Sequence, residues 1–168
     1  IHPFDHADVV AGQGTVGLEI LEQCPDVRTI VVCTGGGGLV AGVALAVKAL
    51  RSDVVVVGAQ AEGAASYAPS LAAGHPIRLE QMSTMADGIA VGQPGEVPFA
   101  LVREHVDRIV TVSEASLSRA LLLALERAKL VVEPAGVAAM AAVLDDPAAF
   151  EPPVVVVLSG GNIDPLLL

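Results

Sequence analysis

The sequence predicts an α/β fold of three layers, with helices on both faces of a mainly parallel sheet. Two observations carry the prediction. Residues 28–33, 54–59, 108–112 and 154–158 are short runs rich in Val and Ile that do not alternate with polar residues, the pattern of strands buried on both faces. Between the runs, apolar residues recur at helical spacing over 15–23, 39–50, 97–104, 114–129 and 135–144, so strands and helices alternate along the chain.

The order of elements follows local signals. The first helical segment leads to the strand at 28–33, which ends in the run Gly35-Gly36-Gly37-Gly38 before the apolar helix at 39–50. Residues 29–47 carry no charge and are long enough to raise the question of a membrane span, but four consecutive glycines at their centre favour strand, loop and helix. From Ala61 to Gly95 glycines and prolines interrupt every pattern, and so long a weakly patterned stretch in a compact domain is expected near a functional site. Ser113 is placed to cap the helix at 114–129, and Pro134 suits the first turn of the next. Pro147, Pro152 and Pro153 mark an acidic loop before the last strand. No repeat or linker divides the 168 residues, which form one domain.

Composition narrows the function. A formal net charge of −10, with nine basic residues scattered along the chain, opposes nucleic-acid binding. No Trp, one Tyr and three Phe leave no base-stacking platform and no aromatic belt for a membrane interface. Two cysteines, Cys24 and Cys33, make neither a disulfide framework nor a zinc site and fit a reducing cytoplasm. The chain begins with Ile1 and shows no signal peptide, which suggests a fragment or a processed chain.

The glycine run is the principal candidate site. Glycines let backbone amides approach a ligand closely, and the helix start that follows favours an anion such as a phosphate. A nucleotide P-loop would place Gly-Lys-Ser/Thr at the end of the run, where this chain has Gly38, Leu39 and Val40. A dinucleotide site is a closer match, because Gly36, Gly38 and Ala41 fit the glycine fingerprint and Glu62 stands after the next strand. The segment Ser159-Gly160-Gly161-Asn162, delivered at the end of the last strand, is foreign to that fingerprint.

Together these pieces resemble the threonine dehydratase and serine racemase group of fold-type II pyridoxal-phosphate enzymes. The matching stretches, in the family's order, are His2-Pro3-Phe4-Asp5, Ala11-Gly12-Gln13-Gly14-Thr15, Gly35-Gly36-Gly37-Gly38-Leu39, Ala86-Asp87-Gly88, Glu133-Pro134-Ala135-Gly136 and Ser159-Gly160-Gly161-Asn162-Ile163-Asp164. They extend from one end of the chain to the other. The resemblance implies that the chain is the C-terminal part of the family's large cofactor-binding domain, incomplete at its beginning.

It implies further that the amides of Gly35, Gly36, Gly37, Gly38 and Leu39 bind the phosphate of pyridoxal 5'-phosphate, that Ser159 meets the pyridine nitrogen, and that Gly88 and Glu133 line the pocket. The activity implied is dehydration and deamination of L-threonine or L-serine to a 2-oxo acid and ammonia, in a homo-oligomer. Amino-acid racemisation on the same scaffold and a noncatalytic dinucleotide-binding module are the alternatives. The family's Schiff-base lysine has no counterpart here, since Lys48 and Lys129 both sit near helix C-termini. No catalytic residue is therefore expected within the chain, and the fragment alone is expected to be inactive. Serine racemase relatives carry acidic cation ligands where this chain has Gln60 and Ser66, so no metal site is expected there. His2, Asp5, His6 and Asp8 are read as a polar linker rather than a metal cluster.

Overall fold

A computed structural model describes residues 1–163. Helix α1 (Ala7–Gln23) leads to β1 (Thr29–Cys33), α2 (Gly38–Leu50), β2 (Val55–Ala61) and α3 (Tyr67–Ala73). The chain continues through α4 (Glu96–His105), β3 (Arg108–Val112), α5 (Glu114–Leu123), α6 (Ala138–Asp145) and β4 (Val154–Val156). All pairings are parallel, in the order β3-β2-β1-β4. This is the layered α/β fold that the alternating runs predict.

The unalternating pattern of the central strands has a direct cause: both of their faces are covered. Ile30, Val32 and Val56 pack against Val40, Val43 and Val47 of α2 and Phe99 and Val102 of α4. Val31, Cys33, Val57 and Ala59 point the other way, against Leu117 and Ala120 of α5 and Ala138, Ala139 and Ala142 of α6. The small side chains of α6 let it lie close to the sheet. At the edges of the described sheet, β3 and β4 are only partly covered, so burial on both faces holds for β1 and β2 and not for them.

Some boundaries differ from the sequence reading. Helix α1 begins at Ala7, eight residues before the predicted start, because His6 is its N-cap and accepts from the Asp8 amide at 3.2 Å. His2 accepts from the Asp5 amide at 3.0 Å. These residues therefore form a capped helix start rather than a linker. Gly14 packs closely on Gly42 and Ala46 of α2, and that contact outweighs its weak propensity, while Gly12 lies on the exposed side of α1 and is merely tolerated. A Cβ at Gly42 of α2 would run into the Val10 carbonyl of α1, which fixes how near the two helices lie. Helix α5 passes into a π-helical turn (Ala124–Ala128) ended by Lys129 at φ 59°. Residues 134–137 form a 3₁₀ turn before α6. The short helix α3 inside the weakly patterned stretch was not expected.

Candidate functional site

Open parallel sheets gather ligands at the carboxyl ends of their strands, where neighbouring strands send their loops in different directions. Here that place lies between β1 and β4. Their register pairs Val31 with Val156, and the Val157 amide still donates to the Val31 carbonyl at 2.9 Å. Cys33 at the end of β1 and Ser159 beyond β4 are thereby brought side by side, with Sγ and Oγ 2.8 Å apart.

From Cys33 the chain turns through the glycine loop into α2. The Gly36 carbonyl is held from two sides, by the Gly95 amide at 3.0 Å and by the Tyr67 hydroxyl at 3.3 Å. Gly37 has φ 101°, a left-handed conformation that side chains resist, and a Cβ there would collide with the Tyr67 hydroxyl. With the carbonyl pinned outward, the amides are left for the pocket. Among the described residues no acceptor is found for the Gly35, Gly36 and Gly37 amides, and Gly38 and Leu39 stand in the first turn of α2, whose amides lack intrahelical partners. Consecutive free amides at the positive end of a helix dipole form an anion site.

Ser159, Glu133 and Gly88 line the same pocket. The Glu133 carboxylate accepts from the Asn162 amide at 3.0 Å, and the Glu133 amide donates to the Gly160 carbonyl at 3.2 Å, so the Glu133 and Ser159 segments are laced together. Gly88 lies in the turn Asp87–Ile89, and a Cβ added to it would stand 3.1 Å from Glu133 Oε1 and 2.9 Å from Ala135 Cβ. Gly35, Gly36, Gly37, Gly38, Leu39, Gly88, Glu133 and Ser159 all line one pocket of about 350 Å³. Its volume lies in the range of small-molecule sites. The weakly patterned stretch contributes Gly88, Ile89 and Val91 to this pocket.

Phe4, Gln13 and Cys33 also line it and were not singled out as site residues. Phe4 and Gln13 do lie within the stretches that carry the resemblance, so a signal existed for them. Asp5 fastens the segment in place by accepting from the Val97 amide at 2.9 Å. Cys33 reads as one more core residue because it ends a wholly buried strand. Burial pushes its thiol above the ordinary range; the Ser159 hydrogen bond works against that shift and the Glu133 charge adds to it.

The lysines lie elsewhere. Lys48 Nζ is 2.8 Å from Asp107 Oδ2 and 2.8 Å from the Val54 carbonyl, near the other end of α2. At 1.5 Å per residue that end is about 15 Å from the glycine loop. Lys129 Nζ donates to the Glu126 carbonyl. Gln60 Oε1 accepts from the Tyr67 amide at 3.0 Å, and the Ser66 hydroxyl is buried with no partner among the described residues. No group of three or more His, Cys, Asp or Glu side chains gathers among the described residues. Asp164, the last residue of the terminal motif, lies outside them.

Free amides for a phosphate and a hydroxyl for a ring heteroatom, in one pocket, fit the polar groups of pyridoxal phosphate. The comparisons agree. A family profile described as "Pyridoxal-phosphate dependent enzyme" matches residues 1–160. An L-threonine ammonia-lyase of Thermotoga maritima is 48% identical over 98% of this chain, and the chain spans 41% of that protein's length. The crystal structure of a threonine deaminase from T.th. superposes with TM-score 0.94 at 46% identity, over 98% of this chain and 62% of that one. Maize serine racemase superposes with TM-score 0.93 at 37% identity, over 99% of this chain and 52% of that one. With the profile covering nearly all of the sequence and the loop, pocket and sheet in accord with it, the chain belongs to the pyridoxal-phosphate-dependent enzyme family.

Proposed function

We propose that this chain is the C-terminal part of the cofactor-binding domain of an ammonia-lyase, one that converts L-threonine or L-serine to a 2-oxo acid and ammonia. The observation that carries the reading is the gathering of the glycine-loop amides and the Ser159 hydroxyl in one pocket. When bound, pyridoxal phosphate supplies a sink for the electron pair left when the substrate loses its α-proton.

The amides of residues 35–39 hold the phosphate, and α2 adds the field of its N-terminus. Ser159 would hydrogen-bond the pyridine nitrogen, and a hydroxyl, unlike a carboxylate, would not hold that nitrogen protonated, which would suit β-elimination. Phe4 and Ile89 give the pocket apolar lining, while Glu133, tied to the Asn162 amide, fixes the wall beside Ser159. Neither lysine of this chain reaches the pocket, so the lysine that anchors the cofactor comes from outside these residues. The segment alone then gives no turnover.

Support for the substrate comes from the Thermotoga lyase and the T.th. deaminase. Racemisation is the second reading, favoured by the overlay on maize serine racemase. Gln60 and Ser66 stand where racemase relatives are expected to carry acidic cation ligands, which weighs against it. Two unpaired thiols fit a cytoplasmic setting. Exposed Leu18 and Leu45 along the groove between α1 and α2 fit a homo-oligomer. No helix among the described residues is long and apolar enough to cross a membrane.

The test is a product assay on the full-length protein loaded with pyridoxal phosphate. Formation of 2-oxobutanoate from L-threonine or pyruvate from L-serine, with little D-serine, is the expected result. Predominant D-serine would establish the second reading. Tight dinucleotide binding without uptake of pyridoxal phosphate would overturn both.

A further inference from the structure

Four side chains with polar atoms line the pocket: Gln13, Cys33, Glu133 and Ser159. Cys33 and Ser159 meet each other, and Glu133 accepts from the Asn162 amide. The Gln13 carboxamide is left over, with no hydrogen bond to any of the described residues, although Gln13 is half-buried. A primary amide carries two donors and one acceptor, and a pocket that encloses them without a partner has polar capacity for a ligand.

The packing of α1 on α2 shows which part of the pocket that capacity serves. The Val10 carbonyl lies against Gly42, Gly14 against Gly42 and Ala46, and Gly17 against Val43 and Val47. Residue numbers rise together along the contact, so the two helices run parallel, with their N-termini at the same end. Val10, Gly14 and Gly17 form the buried stripe, and Val9 and Gln13, one turn apart, flank it on the side of the pocket. A Cβ at Gly42 would stand 2.8 Å from the Gln13 Cβ, so the Gln13 stem starts beside α2 one turn past Gly38. Side chains on a helix lean toward its N-terminus. For Gln13 that lean carries the carboxamide back along α2 toward Gly38 and Leu39, the end where the free amides of the glycine loop gather. Ser159, by contrast, follows β4 and belongs to the segment laced to Glu133.

We propose that Gln13 is a further phosphate-binding residue: its side-chain NH₂ donates to a phosphate oxygen of pyridoxal phosphate from the α1 side, beside the backbone amides of residues 35–39. The proposal rests on the reading of the pocket as a pyridoxal-phosphate site. It makes α1 part of the cofactor site and gives the phosphate a side-chain donor in addition to the loop.

The experiment uses the full-length protein and the variants Gln13→Met, which keeps the length of the stem and loses the donor, and Gln13→Glu, which sets a carboxylate against the phosphate. Gln13→Met should weaken retention of pyridoxal phosphate about tenfold to hundredfold, the scale of one hydrogen bond to a charged group, and Gln13→Glu should weaken it more. The phosphorus NMR resonance of the bound cofactor should shift in both variants. Pyridoxal, which lacks the phosphate, should bind the parent and both variants alike. A purely packing role would leave Gln13→Met with the retention and phosphorus signal of the parent, and that result overturns the proposal. Equal losses for pyridoxal and pyridoxal phosphate overturn it too, as does a raised KM for L-threonine with an unmoved phosphorus signal, which would place Gln13 at the substrate. A parent protein that takes up no pyridoxal phosphate overturns the reading of the site and this proposal with it.

Discussion

The Tyr67 hydroxyl donates to the Gly36 carbonyl at 3.3 Å, tying the start of α3 to the glycine loop across 31 residues of sequence. Tyr67 is wholly buried, and its own amide is held by Gln60 Oε1, so the hydroxyl arrives from a fixed base. Tyr67→Phe removes one donor and little else. Gly36 keeps the Gly95 amide as a partner, so no acceptor is stranded. The expected cost is about 1 kcal/mol in urea unfolding. In the full-length protein, pyridoxal phosphate should also bind severalfold more weakly, because the loop loses one of the two contacts that turn its amides inward.

Gly37→Ala should be costlier. The residue must hold φ 101° and a Cβ would occupy the space of the Tyr67 hydroxyl, so strain and collision act together. A loss of about 1–3 kcal/mol is expected. Gly12→Ala is the control: nothing lies within 4 Å of its Cβ position, and the residue sits inside α1. Alanine there should stabilise by about 0.5–1 kcal/mol. Paired melts of the two variants separate a glycine required by the loop from one that the helix merely tolerates.

These residues also mark where the sequence was readable and where it was not. The Val runs placed β1 and β2 because strands covered on both faces must be apolar throughout, and the glycine run between β1 and α2 stood out for the same local reason. The end of the last strand pointed to Ser159, while the resemblance gave that residue its role and brought in Gly88 and Glu133, which no spacing rule connects. Helix α3 stayed hidden because its apolar side is short and its role is set by Gln60 in the strand before it and by Gly36, 31 residues away in sequence. The early start of α1 depends on a histidine cap and on contact with α2, and neither shows in helix propensity. Cys33 looked like packing because its partner arrives from the other end of the chain.

Asp107 offers a test of stability apart from the pocket. Its carboxylate accepts from the Val56 amide at 2.7 Å and pairs with Lys48, joining the end of α2 to the start of β3. Asp107→Ala leaves a partly buried amide and an ammonium without their acceptor. Destabilisation of about 1–3 kcal/mol is expected, chiefly from the amide, because the carboxylate is 40% exposed and the ion pair is screened. Affinity for pyridoxal phosphate in the folded full-length protein should be unchanged, the site being about 15 Å away along α2. A large fall in affinity at unchanged fold would show that Lys48 and Asp107 act on the loop.

Alkaline pH should expose the two buried acids. Desolvation raises the pKa of both Cys33 and Tyr67 in the folded state, with the Asp5 charge adding to the effect on Tyr67. The unfolded chain therefore releases these protons first. Below the ordinary thiol value of 9.0 both groups are protonated in either state and stability is at its full level. As pH rises beyond the unfolded values, toward the folded ones, stability falls, by up to about 1.4 kcal/mol per pH unit for each group. Tyr67 is the chain's one tyrosine, so tyrosinate absorbance reports on it alone. The absorbance should rise together with loss of helical circular dichroism in the wild type rather than near the value of 10.0 for a free phenol. Tyr67→Phe should flatten the alkaline decline in the urea midpoint, and adding Cys33→Ala should flatten it further. Tyrosinate formation at an ordinary pH in a still-folded chain would mean that the Tyr67 hydroxyl reaches water and does not hold the glycine loop.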